Sequence, residues 1–165
     1  MGAGGGERRL TYLLAFAICA AVALVEGLCA GSDPMAQLRA TRQPRWSPPA
    51  WLWVLIGIVW YAICFTALVR LLPLWPNHKT AILLLCALML ANAGANILQF
   101  RMKRLDLAFF FLFPYWLLLA ALMLATRSLD GATFALFGVY CLYQPYAAAW
   151  AYRLWRLNVP ASGRA

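Results

Sequence analysis

The chain has 165 residues, 65% of them apolar and 12% charged, with a mean hydropathy of +0.73. A soluble domain averages about half apolar and a quarter charged residues, because charge must cover its surface; these values exclude most soluble enzymes. Lys and Arg number 14 against 5 acids, a net charge of +9, yet the bases sit in short clusters between apolar runs. That spacing excludes a nucleic-acid-binding stripe and fits cationic loops flanking membrane spans.

In chain order the apolar stretches cover residues 10–30, 49–72, 80–100, 107–126 and 132–153. Each approaches the roughly 20 residues that carry a helix across about 30 Å of hydrocarbon. Strands are excluded, since the stretches lack alternating polarity and every backbone group in lipid must be satisfied internally. The expectation is an all-α membrane bundle of five transmembrane helices, with residues 1–165 forming a single transmembrane domain. Arg8 and Arg9 precede the first stretch as in a signal peptide. That stretch is too long for an h-region, and Glu26 is a poor neighbour for a cleavage site, so it is read as a span.

An odd number of spans places the termini on opposite sides. The N-terminal side collects Arg8, Arg9, Arg70, Lys79 and Arg127; the other collects Arg39, Arg42, Arg45, Arg101, Lys103, Arg104, Arg153, Arg156 and Arg164. The basic excess predicts an outside N-terminus, a cytoplasmic C-terminus and a cytoplasmic loop 31–48; a bacterial cell membrane is the expected location. The five cysteines (Cys19, Cys29, Cys64, Cys86, Cys141) are scattered and odd in number, so they read as small apolar side chains and not as a disulfide set. His78 has no second ligand at metal spacing, and no phosphate loop or nucleophile triad occurs. No metal, required cofactor or catalytic set is expected.

Polar groups are costly inside spans and therefore informative. Asn92, Asn96 and Gln99 share one face of the third stretch, beside the small residues Ala91, Ala93, Gly94 and Ala95. Interhelical hydrogen bonding and a pocket wall both explain them. Trp53, Gly57, Trp60, Tyr61 and Cys64 follow one face of the second stretch, as packing or as an aromatic wall beside a glycine hollow. Tyr140, Tyr143, Gln144 and Ala147 share a face of the fifth, where Pro145 frees a backbone carbonyl. Glu26 is the only acid well within an apolar stretch. Near the end of its span, it can reach headgroups or a loop Arg; alternatively it couples protons in a small exporter.

The run Pro44-Arg45-Trp46-Ser47-Pro48-Pro49-Ala50-Trp51, with Tyr61 ten residues on, resembles the loop-to-second-helix signature of the TspO/MBR family, the translocator and tryptophan-rich sensory proteins. Asn92 with Phe100-Arg101-Met102-Lys103-Arg104 is similar to the third-helix end of that family, and Tyr140 with Tyr152 to Asn158 to its fifth helix and basic tail. The resemblance implies a receptor- or transport-type role: binding of a porphyrin or other tetrapyrrole (protoporphyrin IX or haem-like), or of a similar flat apolar molecule. The implied ligand-binding set is Trp46, Trp53, Gly57, Tyr61, Asn92, Ala95, Asn96, Tyr140, Tyr143, Gln144 and Ala147, with loop 31–48 as lid and Arg42 and Arg45 contacting ligand carboxylates. Positions that carry Trp in the family are Gly57, Ala95 and Tyr143 here, and the Trp-Tyr of the first loop is Gln37-Leu38. Those losses argue against porphyrin photodegradation and for a non-enzymatic role. The sterol-recognition pattern fails, because no Leu or Val occurs in the five residues before Tyr152. The resemblance also allows a homodimer through Ala91, Gly94 and Ala95; a structural membrane protein without ligand is the remaining alternative.

Overall fold

The computed structural model describes residues 3–159, and every regular element among them is helical. The elements are α1 (Ala3–Ala30), α2 (Pro34–Ala40), α3 (Ala50–Leu71), α4 (Lys79–Asn96), α5 (Leu105–Phe110), α6 (Leu112–Thr126) and α7 (Gly131–Asn158). Four stretches are long and apolar enough to cross a membrane: Gly5–Ala30, Ala50–Leu74, Lys79–Arg101 and Leu105–Thr126. The chain thus has the helices of an integral membrane protein. Helix α7 has the length, at 28 residues, but Tyr140, Tyr143, Gln144, Pro145 and Tyr146 dilute its apolar run. This narrows the five spans expected from the sequence to four on composition.

Local chemistry explains the boundaries. Gly31, with φ of +87°, adopts the left-handed conformation that ends α1, its N–H returning to the Gly27 carbonyl at 3.2 Å. Asp33 then caps α2 through a 2.8 Å bond from the Ala36 N–H, with Pro34 in the first turn. The expected fourth helix is divided at Phe111. Pro114 has no N–H to give the Phe110 carbonyl, which breaks the bonding register there. Helix α4 finishes in a wider π turn over Ile97–Arg101, closed by the Met102 N–H on the Ile97 carbonyl at 2.8 Å. Helix α7 runs unbroken through Pro145.

Helix α4 is the centre of the bundle and packs against α1, α3 and α6. Its buried residues Ala81, Ile82, Leu85, Leu88, Met89 and Ala93 recur at three- and four-residue steps. Helix α1 reaches it through the buried small side chains Ala15, Cys19 and Val22, which let two backbones approach closely. The outward faces are apolar, with Leu13, Phe16 and Leu24 on α1, Leu117 and Leu124 on α6, and Leu142 on α7 all exposed. Lipid, not water, is the solvent such faces fit.

At one end, Arg70 forms a forked pair with Asp130, its Nε and Nη2 both donating at 2.6 Å. Asp130 also caps α7, accepting from the Thr133 N–H at 3.0 Å. The Arg70 guanidinium beside Asp130 holds its carboxyl well below the usual carboxylate range, helped by the bonds from Thr133. At the other end, α2 and the flanking loop lie over the ends of α4 and α7.

Candidate functional site

A half-open cavity of about 380 Å3 lies at the α2 end of the bundle, lined by residues of α1, α2, α3, α4, α5, α6 and α7. Small residues create the space: Gly27 and Ala30 from α1, Gly57 from α3, Ala95 from α4, and Ala147 and Ala151 from α7. A Cβ added at Gly57 would meet nothing within 4 Å, so the missing side chain is replaced by room and not by a neighbour. Aromatic groups supply part of the wall, among them Trp53 and Trp60 on α3, Tyr115 on α6, and Tyr140, Tyr143 and Trp150 on α7. The Trp60 and Tyr140 ring centroids are 4.6 Å apart, as are those of Trp53 and Trp150. The lid contributes Pro34, Met35 and Leu38, an apolar surface.

Several polar groups in and behind the wall are hydrogen-bonded to one another, as burial favours. Tyr115 and Tyr140 share a hydroxyl–hydroxyl bond of 2.8 Å, and the Trp116 indole donates to the buried Gln144 carbonyl at 3.1 Å. Glu26 accepts from the Tyr61 hydroxyl at 2.6 Å, from the Asn96 amide at 3.1 Å and from the Asn92 amide at 3.3 Å. Two indole donors, those of Trp53 and Trp60, are buried with no acceptor among the described residues.

The lid is held to α7 at three points. The Arg42 N–H donates to Asn158 Oδ1, and Asn158 Nδ2 returns a bond to the Arg42 carbonyl, both at 3.0 Å. The Trp150 indole donates to Ser47 Oγ at 3.0 Å, and the Tyr146 hydroxyl to the Trp46 carbonyl at 3.3 Å. The Trp46 and Tyr146 rings also pack edge to face at 5.3 Å. The spacing of Asn158 from Arg42 along the chain left this latch invisible in the sequence.

Of the residues singled out from the sequence, Trp53, Gly57, Asn92, Ala95, Asn96, Tyr140, Tyr143, Gln144 and Ala147 line this one cavity. Trp46 does not; it belongs to the lid latch. Tyr61 stands behind the wall, bonded to Glu26. Arg42 and Arg45 are absent from the lining, and Arg42 engages α7 through its backbone. Glu26 lies about one turn before the end of α1 at Ala30, as expected from the sequence, but its partners are Tyr61 on α3 and Asn92 and Asn96 on α4 and not a loop Arg. Tyr115 and Trp150 were not foreseen in the wall, although both fall on the inward stripes of their helices. Gly94 is open, with no heavy atom within 4 Å of an added Cβ, while neighbouring Ala93 is buried. Arg164 lies outside the described residues.

Apolar helices around a cavity lined partly by aromatic side chains define a small membrane-helix bundle with a hollow at one end. The TspO/MBR family profile matches residues 15–156, and the chain belongs to that family. Among curated proteins none matches it.

Proposed function

We propose that the protein binds a flat, largely apolar small molecule in the cavity beneath α2, in a regulatory or transport role. A tetrapyrrole such as protoporphyrin IX is the ligand class that the family resemblance implies. The observation that carries this reading is the wall itself: Trp53, Trp60, Tyr140 and Tyr143 face a hollow made by Gly57 and Ala95. A volume of about 380 Å3 falls within the range of roughly 300–1,000 Å3 typical of small-molecule sites. Burial of an apolar ring contributes about 25 cal/mol per Å2 before ordering costs.

In this reading α7 is the fifth span: Tyr140, Tyr143 and Gln144 turn toward the cavity and need no lipid contact. The basic residues of the lid, the α4–α5 connection and the end of α7 then face the cytoplasm, with the N-terminus outside. Arg42 and Arg45, in the segment after α2 and outside the lining, are the bases that a ligand's carboxylates would meet in this reading.

The test is a protoporphyrin IX titration of the detergent-purified protein, following quenching of tryptophan fluorescence. Saturable quenching in the micromolar range or tighter, weakened at least about tenfold by Asn92→Ala combined with Tyr140→Ala, is expected. Quenching that never saturates, or is the same in the variant, rejects the cavity as the porphyrin site.

A further inference from the structure

The cavity wall contains one ionisable acid, Glu26, and no Lys, Arg or His. Its three hydrogen-bond partners, Tyr61 on α3 and Asn92 and Asn96 on α4, are neutral donors. The ion pairs among the described residues, Arg70 with Asp130 and Arg104 with Asp106, do not involve it. A carboxylate offers roughly four lone-pair directions. Three neutral donors orient Glu26 and leave room for another, but they supply no opposite charge. A carboxylate held in an apolar hollow without a counter-charge attracts a cation far more strongly than one in water.

The surroundings favour the same sign. Trp53, Trp60, Tyr140 and Trp150 line the hollow, and aromatic rings attract cations. An anion finds no positive charge in the lining.

We propose that the cavity selects flat apolar molecules bearing a cationic nitrogen, whose N–H donates to Glu26 while the ring system lies among Trp53, Trp60 and Tyr140. This rests on the cavity being a ligand site, as proposed above, and specifies the charge that site prefers. Glu26 sets the sign, the aromatic wall holds the ring, and the amides of Asn92 and Asn96 fix the carboxylate in place.

Two three-ring probes of opposite charge test it: 9-aminoacridine, a cation, and anthracene-9-carboxylate, an anion. Each is titrated into the full-length protein in dodecyl maltoside, read by tryptophan fluorescence, with protoporphyrin IX run alongside. The cation is expected to bind at least about tenfold more tightly than the anion, the size of effect a charged hydrogen bond carries. Glu26→Gln, which keeps the shape, should remove that preference, whereas Glu26→Asp, which keeps the charge, should retain most of it. Equal affinity for the two probes, or an unchanged cation affinity in Glu26→Gln, overturns the inference and leaves protoporphyrin IX binding standing. Saturable binding of protoporphyrin IX alone overturns it too. No saturable binding of any of the three overturns this inference together with the ligand-site reading.

Discussion

The two ends of the bundle use the same helices in opposite ways. Toward the Arg70–Asp130 clamp, α3 presents Cys64, Ala67, Leu68 and Leu71, α4 presents Leu85 and Leu88, α6 presents Leu122 and α7 presents Phe137, all with 0% exposure. Toward the lid, α3 presents Trp53 and Gly57, α4 presents Asn92, Ala95 and Asn96, and α7 presents Gln144, Ala147 and Ala151 around the cavity. The inward stripe is continuous; only side-chain size and polarity change along it. One half is filled by these fully buried side chains. In the other half, short side chains hold the helices apart from nothing, and large aromatic and polar groups line the gap. A helix bundle acquires a site by omission, provided the packed half keeps the backbones in place.

That contrast can be broken most severely in the packed half. Phe137→Ala removes a fully buried ring beside Trp60, with centroids 6.3 Å apart. A loss of about 3–5 kcal/mol is expected from a truncation of this kind, read as a lower midpoint in thermal or denaturant unfolding in detergent. A much smaller loss would mean that this half is less tightly packed than its burial indicates.

In the cavity half the opposite substitution is the informative one. Gly57→Leu points a side chain into open space, so stability should hold or rise while ligand affinity falls at least about tenfold, near 1.4 kcal/mol. Lost stability with retained affinity would place the ligand elsewhere.

The smallest effect is at the clamp. Asp130→Asn keeps a good helix cap but removes the charge that Arg70 meets. Because the folded protein holds the Asp130 carboxyl below its usual range, its contribution is present above the unfolded pKa of about 3.9 and is lost as pH falls through the lower folded value. The stability difference between wild type and Asp130→Asn should therefore be constant above about pH 4 and shrink below it. Arg70 is half-exposed and its pairing screened, so the difference stays small. A difference that grows on acidification would contradict the assignment.

Much of this architecture was legible in the sequence. Apolar length alone marks α1, α3, α4 and the α5–α6 pair, because a helix that meets lipid must carry about 20 apolar residues whatever surrounds it. The Pro44 to Trp51 run carries the family, and helical spacing puts Asn92 and Asn96, or Tyr140, Tyr143, Gln144 and Ala147, on one face each. What spacing could not supply was the partner of each face. Glu26 shows the limit: its rarity was visible, but Tyr61, Asn92 and Asn96 lie 35, 66 and 70 residues away in sequence. The same holds for Trp46, Arg42 and Arg45, whose motif marks the lid without saying which atoms the lid uses. Arg42 bonds α7 through its peptide group, a contact that side-chain identity does not encode.

By itself, then, the sequence determined a membrane-helix protein of the TspO/MBR family and the inward stripe of each helix, because hydropathy and helical period are local properties of the chain. Only the tertiary structure decided that the stripes meet around one hollow, that Glu26 stands in its wall, and that α2 lies against it. Those outcomes depend on how far apart packed backbones are held, and that distance is set jointly by side chains from several helices.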